Sequence, residues 1–318
     1  MKSTFRFRLV ALSLTSCLLT VAATPAQASE PLVPGTGTIL KQVGDDFEDP
    51  DWKYIFNNPK STEDNDKSQR LPAGKSVNGR WYEGAKRGHP DIVERVETPP
   101  GGLEGSTGSL LLRSVRTGIP GRPSHRMQQD DFIGNVNYRV GGSIPVSRSP
   151  SVVVRVFFPP IDTWEERSGP TFAFRSAVTT HINKPSGNGF FRGSSYESET
   201  YYPGFFVELD SKKYNGRDYD SANFRIRASR GGDFKGPQIT QTGWWTMGMS
   251  FTPDGQVHYF AKPGIEDLTA EDHVTSQFPY GYRCEHFSTF FFNVCSVDDG
   301  RTWSTPWIVD DPAVYVLR

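Results

Sequence analysis

Short runs in which apolar and polar residues alternate recur along the chain from position 151 onward. They read SVVVRVFF (151–158), TFAFRSAVTTHI (171–182), GFFVELD (204–210), NFRIRAS (223–229), WWTMGMSF (244–251), QVHYFAK (256–262), STFFFNVCS (288–296) and AVYVLR (313–318). A period of two sends successive side chains to opposite faces, so each run predicts a β-strand. RWYEGA (80–85), DIVERVET (91–98) and SLLLRSVR (109–116) extend the series upstream. Turn residues separate the runs, as Pro253-Asp254-Gly255 does between two of them.

Residues 57–79 and 98–108 are polar and turn-rich, and predict loops. GRPSHRMQQDDF (121–132), with His125, Arg126 and Gln128, predicts a further polar loop. Only IEDLTAEDHV (265–274) has a helical look, with Thr269 as an N-cap before Glu271 and Asp272. No internal repeat and no linker divides the chain. The expectation is one all-β domain over 45–318, a sandwich of two antiparallel sheets, behind a flexible segment at 29–44.

The first 28 residues change the picture. A basic start, MKSTFRFR, precedes the apolar run LVALSLTSCLLTVAA and a small-x-small site at Ala26-Gln27-Ala28. That is the form of an export signal, and it predicts an extracellular or periplasmic protein. A rival reading takes Leu14-Thr15-Ser16-Cys17 as a lipoprotein box, anchoring the chain through Cys17. No later run has the ~20 apolar residues of a membrane span. Without residues 1–28, the 35 basic residues fall by Lys2, Arg6 and Arg8 to 32, against 36 acidic ones, a net of −4. That balance excludes a general nucleic-acid binder. Cys284 and Cys295 remain, and two cysteines in an exported chain predict a disulfide, with two buried thiols as the alternative.

Strand alternation then collects candidate chemistry. Arg175, Thr179 and His181 share one face of their run, Glu208 and Asp210 one face of theirs, and Arg225 and Arg227 one face of a third. The opposite faces carry Phe172, Phe174, Phe205, Val207, Phe224 and Ile226. If these strands share a sheet, one side is core and the other a polar floor, which Arg155 and His258 would join. Arginines on such a floor suit a sugar carboxylate or sulfate, which guanidinium groups grip bidentately. The alternative is a solvated face laced with ion pairs. Glu208 and Asp210 lie about 6.6 Å apart along a strand. Trp81, Tyr82, Trp164, Tyr201, Tyr202, Tyr280 and Tyr282 are candidate platforms for sugar rings.

SVDDGRTW (296–303) fills every defined position of the sialidase Asp-box, with Ser296, Asp298, Gly300, Thr302 and Trp303. The motif is expected to be a stabilised turn plugged by Trp303, because a single copy is too few for a sialidase propeller. Three other stretches resemble the concanavalin A-like lectin/glucanase superfamily: DDFEDPDW (45–52), WWTMGMSFTPDGQVHYFAKPG (244–264) and WIVDDPAVYVLR (307–318). The resemblance implies a jelly-roll sandwich, and its members include sugar-binding modules, glycoside hydrolases and polysaccharide lyases. Glucanases of this type carry a further Glu on the strand of Glu208 and Asp210, where this chain has Lys212 and Lys213. Gln256, Val257 and His258 match the Gln-Val-His of alginate lyases, whose companion strand motifs are missing. The resemblance also makes a structural calcium thinkable near Asp45, Asp46, Asp310 and Asp311.

These readings converge on a secreted protein that binds an extracellular polysaccharide or glycoconjugate, anionic if the arginines contact it. If it is an enzyme, β-elimination fits the arginines better than hydrolysis, with His181, His258 or a tyrosine taking the proton. A non-catalytic lectin-like, adhesion or structural module is the alternative.

Overall fold

A computed structural model describes residues 30–58, 60, 72–118, 121–186, 193–229 and 232–317. The expected signal and Cys17 lie outside the described residues. Two antiparallel sheets face each other as a jelly-roll type β-sandwich. One sheet runs in the order His273–Gln277, Val257–Pro263, Gly243–Phe251, Ser151–Phe158, Trp307–Val316, Gly108–Arg113 and Ile92–Glu97. The other runs Phe234–Ile239, Ser221–Ile226, Gly204–Asp210, Gly169–Ser186, His286–Val297, Met127–Gly134 and Trp81–Glu83, followed by two short edge strands.

Alternation builds the core. Phe172, Phe174, Phe205, Phe224 and Phe292 of the second sheet meet Val152, Val154, Val156, Met247, Met249 and Val309 of the first, all fully buried. At roughly 1.5–3 kcal/mol for each large apolar side chain buried, this layer is the main source of stability.

The two outer faces differ, and that difference places the site. The first sheet's outer face is covered: Val153, Phe260 and Leu268 pack there as a second small cluster, and Ser250 Oγ donates to the Leu32 carbonyl. Thr38–Ile39 also pairs with the Trp307–Val316 strand, which ties the segment before residue 45 to the sandwich. The second sheet's outer face is open, and the arginines are on it.

Several local expectations need correction. Residues 127–134, expected in a loop, form a strand between two others, because Asp130, Phe132 and Gly134 alternate with Asp131 and Ile133. The expected helix at 265–274 is a single 3-10 turn, Ala270–Asp272, with Thr269 and Asp272 closing a capping box; the chain then enters the strand His273–Gln277. Cys284 and Cys295 are free thiols, both buried. Cys284 precedes the extended strand His286–Val297 and Cys295 lies near its far end, so at about 3.3 Å per residue they sit far beyond the reach of a disulfide. No helix among the described residues is long and apolar enough to cross a membrane.

The 296–303 stretch also differs in detail. Gly300 takes φ +66, as a tight turn asks. Asp299, rather than Asp298, closes that turn by accepting from the backbone of Arg301 and Thr302 and from the Thr302 hydroxyl. Asp298 reaches across to accept from the Ser124 backbone at 2.7 Å. Trp303 is not a plug: it is 39% exposed, with the Arg113 guanidinium 5.1 Å above its ring.

Two of the four aspartates considered for calcium hold hydrogen bonds to other side chains. Asp45 Oδ2 accepts from Trp52, Trp81 and Asn78, and Asp310 Oδ2 from Ser106 and Ser109. Among the described residues, no group of three or more ligand side chains fits a metal ion.

Candidate functional site

The open sheet face carries a cleft of about 650 Å³. Phe206 lies at its base, between Ala173 and Arg225 in strand register. Its ring gathers three guanidinium groups, with Arg225 at 4.5 Å, Arg175 at 5.3 Å and Arg227 at 5.3 Å from the ring centroid. Aromatic faces carry negative potential, which eases this concentration of positive charge. Arg175 also lies over Tyr202 and Phe291, and Arg227 over Tyr280.

Each arginine has a different set of partners. Arg225 Nε donates to Glu208 at 2.6 Å, and its Nη1 to Asp233. Arg227 Nη1 donates to both Asp233 oxygens, at 2.9 and 3.2 Å. Arg175 forms no salt bridge among the described residues; it donates to Asn293 Oδ1 at 3.4 Å and to the Tyr202 carbonyl at 3.2 Å. Its Nε is buried without a hydrogen-bond partner among the described residues. Burial lowers the Arg175 pKa, against the opposing influence of Tyr280 and Asp131. The backbone makes room for it: Gly204 faces Arg175 in register, and a Cβ there would collide with the Arg175 side chain and the Phe174 carbonyl.

Behind Arg175 lies a buried polar relay. Asn293 is fully enclosed, and its amide nitrogen donates to Asp131 Oδ1. Burial pushes the Asp131 carboxyl up to about 6, with Arg87 and Arg175 pulling the other way. Tyr82, Lys86, Arg87 and Gln129 complete that side of the cleft. On the far wall Tyr280 is held at φ +60, a left-handed conformation rare for an aromatic residue.

The other sequence candidates fall elsewhere. His258 does not join the floor. It belongs to the first sheet, is fully buried on that sheet's covered face between Thr252 and Ser276, and burial lowers its pKa to about 4. Arg155 is on the same sheet, paired to Asp267. His181 follows Arg175 along one strand by six residues, about 20 Å. There it is paired with Glu285 at 2.6 Å and stacked on Tyr196, outside the residues lining the cleft.

Glu208 and Asp210 line a neighbouring depression of about 410 Å³, each committed to an arginine, Arg225 and Arg217. Trp164 is a core residue against Trp307 and Phe158, and Trp81 is stacked in the core on Phe132. Tyr201 is buried against Tyr280 and Tyr282 and offers no platform. Tyr202, Tyr82 and Tyr280 do line the cleft. Sequence reasoning missed Phe206, Asn293 and Asp131. The signal available for Asn293 was a lone amide inside the apolar run FFFNVC.

No protein-family model matches the chain, and no curated protein matches it. Among solved structures it is similar to the binding domain of Paraclostridial Mosquitocidal Protein 1, at 9% identity over 76% of this chain and 46% of that one, TM-score 0.36. It thus spans less than half of that chain. It is also similar to an endo-β-1,4-glucuronan lyase from the fungus Trichoderma reesei, at 12% identity over 74% and 94%, TM-score 0.33. A third likeness is to an alginate lyase from Pseudomonas aeruginosa, at 10% identity over 72% and 85%, TM-score 0.34.

Proposed function

We propose that this chain is an exported protein whose cleft binds an acidic polysaccharide and cleaves it by β-elimination. The observation that supports this is the gathering of Arg175, Arg225 and Arg227 around Phe206, with Arg175 lacking a carboxylate partner among the described residues. A uronate carboxylate bound by Arg175, which the Asn293 side-chain carbonyl holds in place, has its charge neutralised, which acidifies the adjacent C5 proton. Tyr280 takes that proton. The electron pair forms the C4–C5 double bond, the C4–oxygen bond breaks, and the same tyrosine returns the proton to the departing oxygen. A tyrosine takes this role because His258 is enclosed in the other sheet and His181 stands outside the cleft. Of the cleft tyrosines Tyr82, Tyr202 and Tyr280, Tyr280 is assigned it because it acts electrostatically on Arg175.

The test is incubation with polyglucuronate, polymannuronate, polyguluronate and polygalacturonate, with a neutral β-glucan as control. Binding and the ultraviolet absorbance of unsaturated chain ends are both measured. Saturable binding of a polyuronate with growing absorbance is expected, and Tyr280→Phe should keep the binding and lose the absorbance. Binding without product in the wild type would leave a lectin-like module. Equal binding of the neutral glucan would reject the acidic-polymer reading.

A further inference from the structure

Asp233 stands immediately before the strand Phe234–Ile239, and its side chain is only 15% exposed. Both of its oxygens are taken by guanidinium groups, Oδ2 by Arg225 and both by Arg227. One carboxylate clamped by two arginines at the rim of a cleft is the arrangement that would hold a sugar acid. We infer that Asp233 is an internal stand-in for a substrate carboxylate, occupying a second uronate subsite beside the one at Arg175. This rests on the acidic-polysaccharide reading above.

Three observations support the subsite. Glu208 grips Arg225 from within the sheet through Nε, so the Nη1 donor stays aimed when Asp233 rotates away. Both arginines remain anchored over Phe206, and Arg227 also over Tyr280. The third observation is position. Arg225 and Asp233 line the depression on one side of the main cleft, and Arg227, Asp233 and Tyr280 line another of about 370 Å³. The clamp therefore lies where the cleft continues into both depressions, on the path of a polymer longer than one sugar.

The three guanidinium carbons lie within 5.3 Å of a single ring centroid, so the two carboxylates they would hold belong to adjoining sugars. The class of ligand selected is a polymer with acids on consecutive residues. Asp233 competes with it and limits its affinity.

The experiment is calorimetric titration of wild type, Asp233→Asn, Asp233→Ala and Arg175→Ala with tetrasaccharides of polyglucuronate and polymannuronate. Thermal melts in sodium acetate at constant ionic strength accompany it. Removal of a competing carboxylate should tighten tetrasaccharide binding at least threefold in Asp233→Asn. Asp233→Ala should gain a saturable rise in melting temperature with acetate that the wild type lacks, as acetate enters the vacated clamp. If Asp233 only orders the arginines, both variants bind as the wild type or more weakly, and the inference is overturned. Should Asp233→Ala not fold, Asp233→Asn, which keeps the size of the side chain, decides. Wild type that binds neither tetrasaccharide, or Arg175→Ala with full affinity, would instead remove the acidic-polysaccharide reading. The acetate response then judges the clamp by itself, and its absence would reject it.

Discussion

Arg175 donates to Asn293 Oδ1 at 3.4 Å from a neighbouring strand, at the bottom of the cleft. Asn293 spends its own amide on Asp131, so its carbonyl is turned toward the guanidinium and holds it. Arg175→Ala should weaken polyuronate binding about tenfold or more, since a charge-assisted contact is worth about 1.5–3 kcal/mol. Arg175→Lys should recover little of it, because an ammonium cannot reproduce the planar fork. Calorimetry on variants with wild-type circular dichroism checks both; full affinity in Arg175→Ala would contradict the assignment.

Asp131 predicts a pH dependence of its own. Its folded-state pKa is raised to about 6 by burial, above the ordinary carboxylate value. The folded protein therefore holds a proton that the unfolded chain has released, and this group's contribution to stability falls as pH rises from about 4 through about 6. Ionisation also puts a negative charge beside Arg175. Polyuronate affinity should be higher at pH 5 than at pH 7 in the wild type, at constant ionic strength. Asp131→Asn keeps an acceptor for the Asn293 amide, and should flatten the affinity dependence and reduce the stability dependence. Asp130, Asp310 and Asp311, also raised by burial, contribute to the latter with the same sign. A variant that retains the wild-type slope would assign it to another group.

What was legible in the sequence follows from period-two patterning. Phe172/Phe174 and Phe224/Ile226 face the core while Arg175 and Arg225 face the cleft, and alternation alone separates those sets. Alternation does not say which sheet a strand joins. His258 and Arg155 have the right pattern and lie on the wrong sheet, under a face covered by residues far away in the chain. Phe206 escaped because an aromatic residue amid GFFVELD reads as core, whereas here it is the surface on which the arginines rest. Trp164 shows the converse: a tryptophan in a turn, folded inward against Trp307.

The cysteines yield a simple check. Both thiols are buried, and burial raises the Cys295 pKa to about 12 and lifts that of Cys284 as well. They should resist alkylation in the native state and react in denaturant without prior reduction. A reductant should leave the melting temperature unchanged. Mass spectrometry that finds a Cys284–Cys295 bridge in unreduced protein would overturn the free-thiol structure.

The turn at 298–303 separates stability from binding. Asp298 is buried, and its carboxylate satisfies the Ser124 backbone N–H at 2.7 Å while its own backbone pairs with His125 and Arg126. Asp298→Ala leaves a donor unpaired and should cost about 1–3 kcal/mol. Trp303 is half-exposed and gains mainly from Arg113, so Trp303→Ala should cost no more than about 1 kcal/mol. Neither residue lines the cleft, and polyuronate affinity should be the same in both variants as in the wild type. Denaturant melts paired with calorimetry test this ordering. A larger loss for Trp303→Ala than for Asp298→Ala would restore the tryptophan as the plug, and a loss of affinity in either would tie this turn to the site.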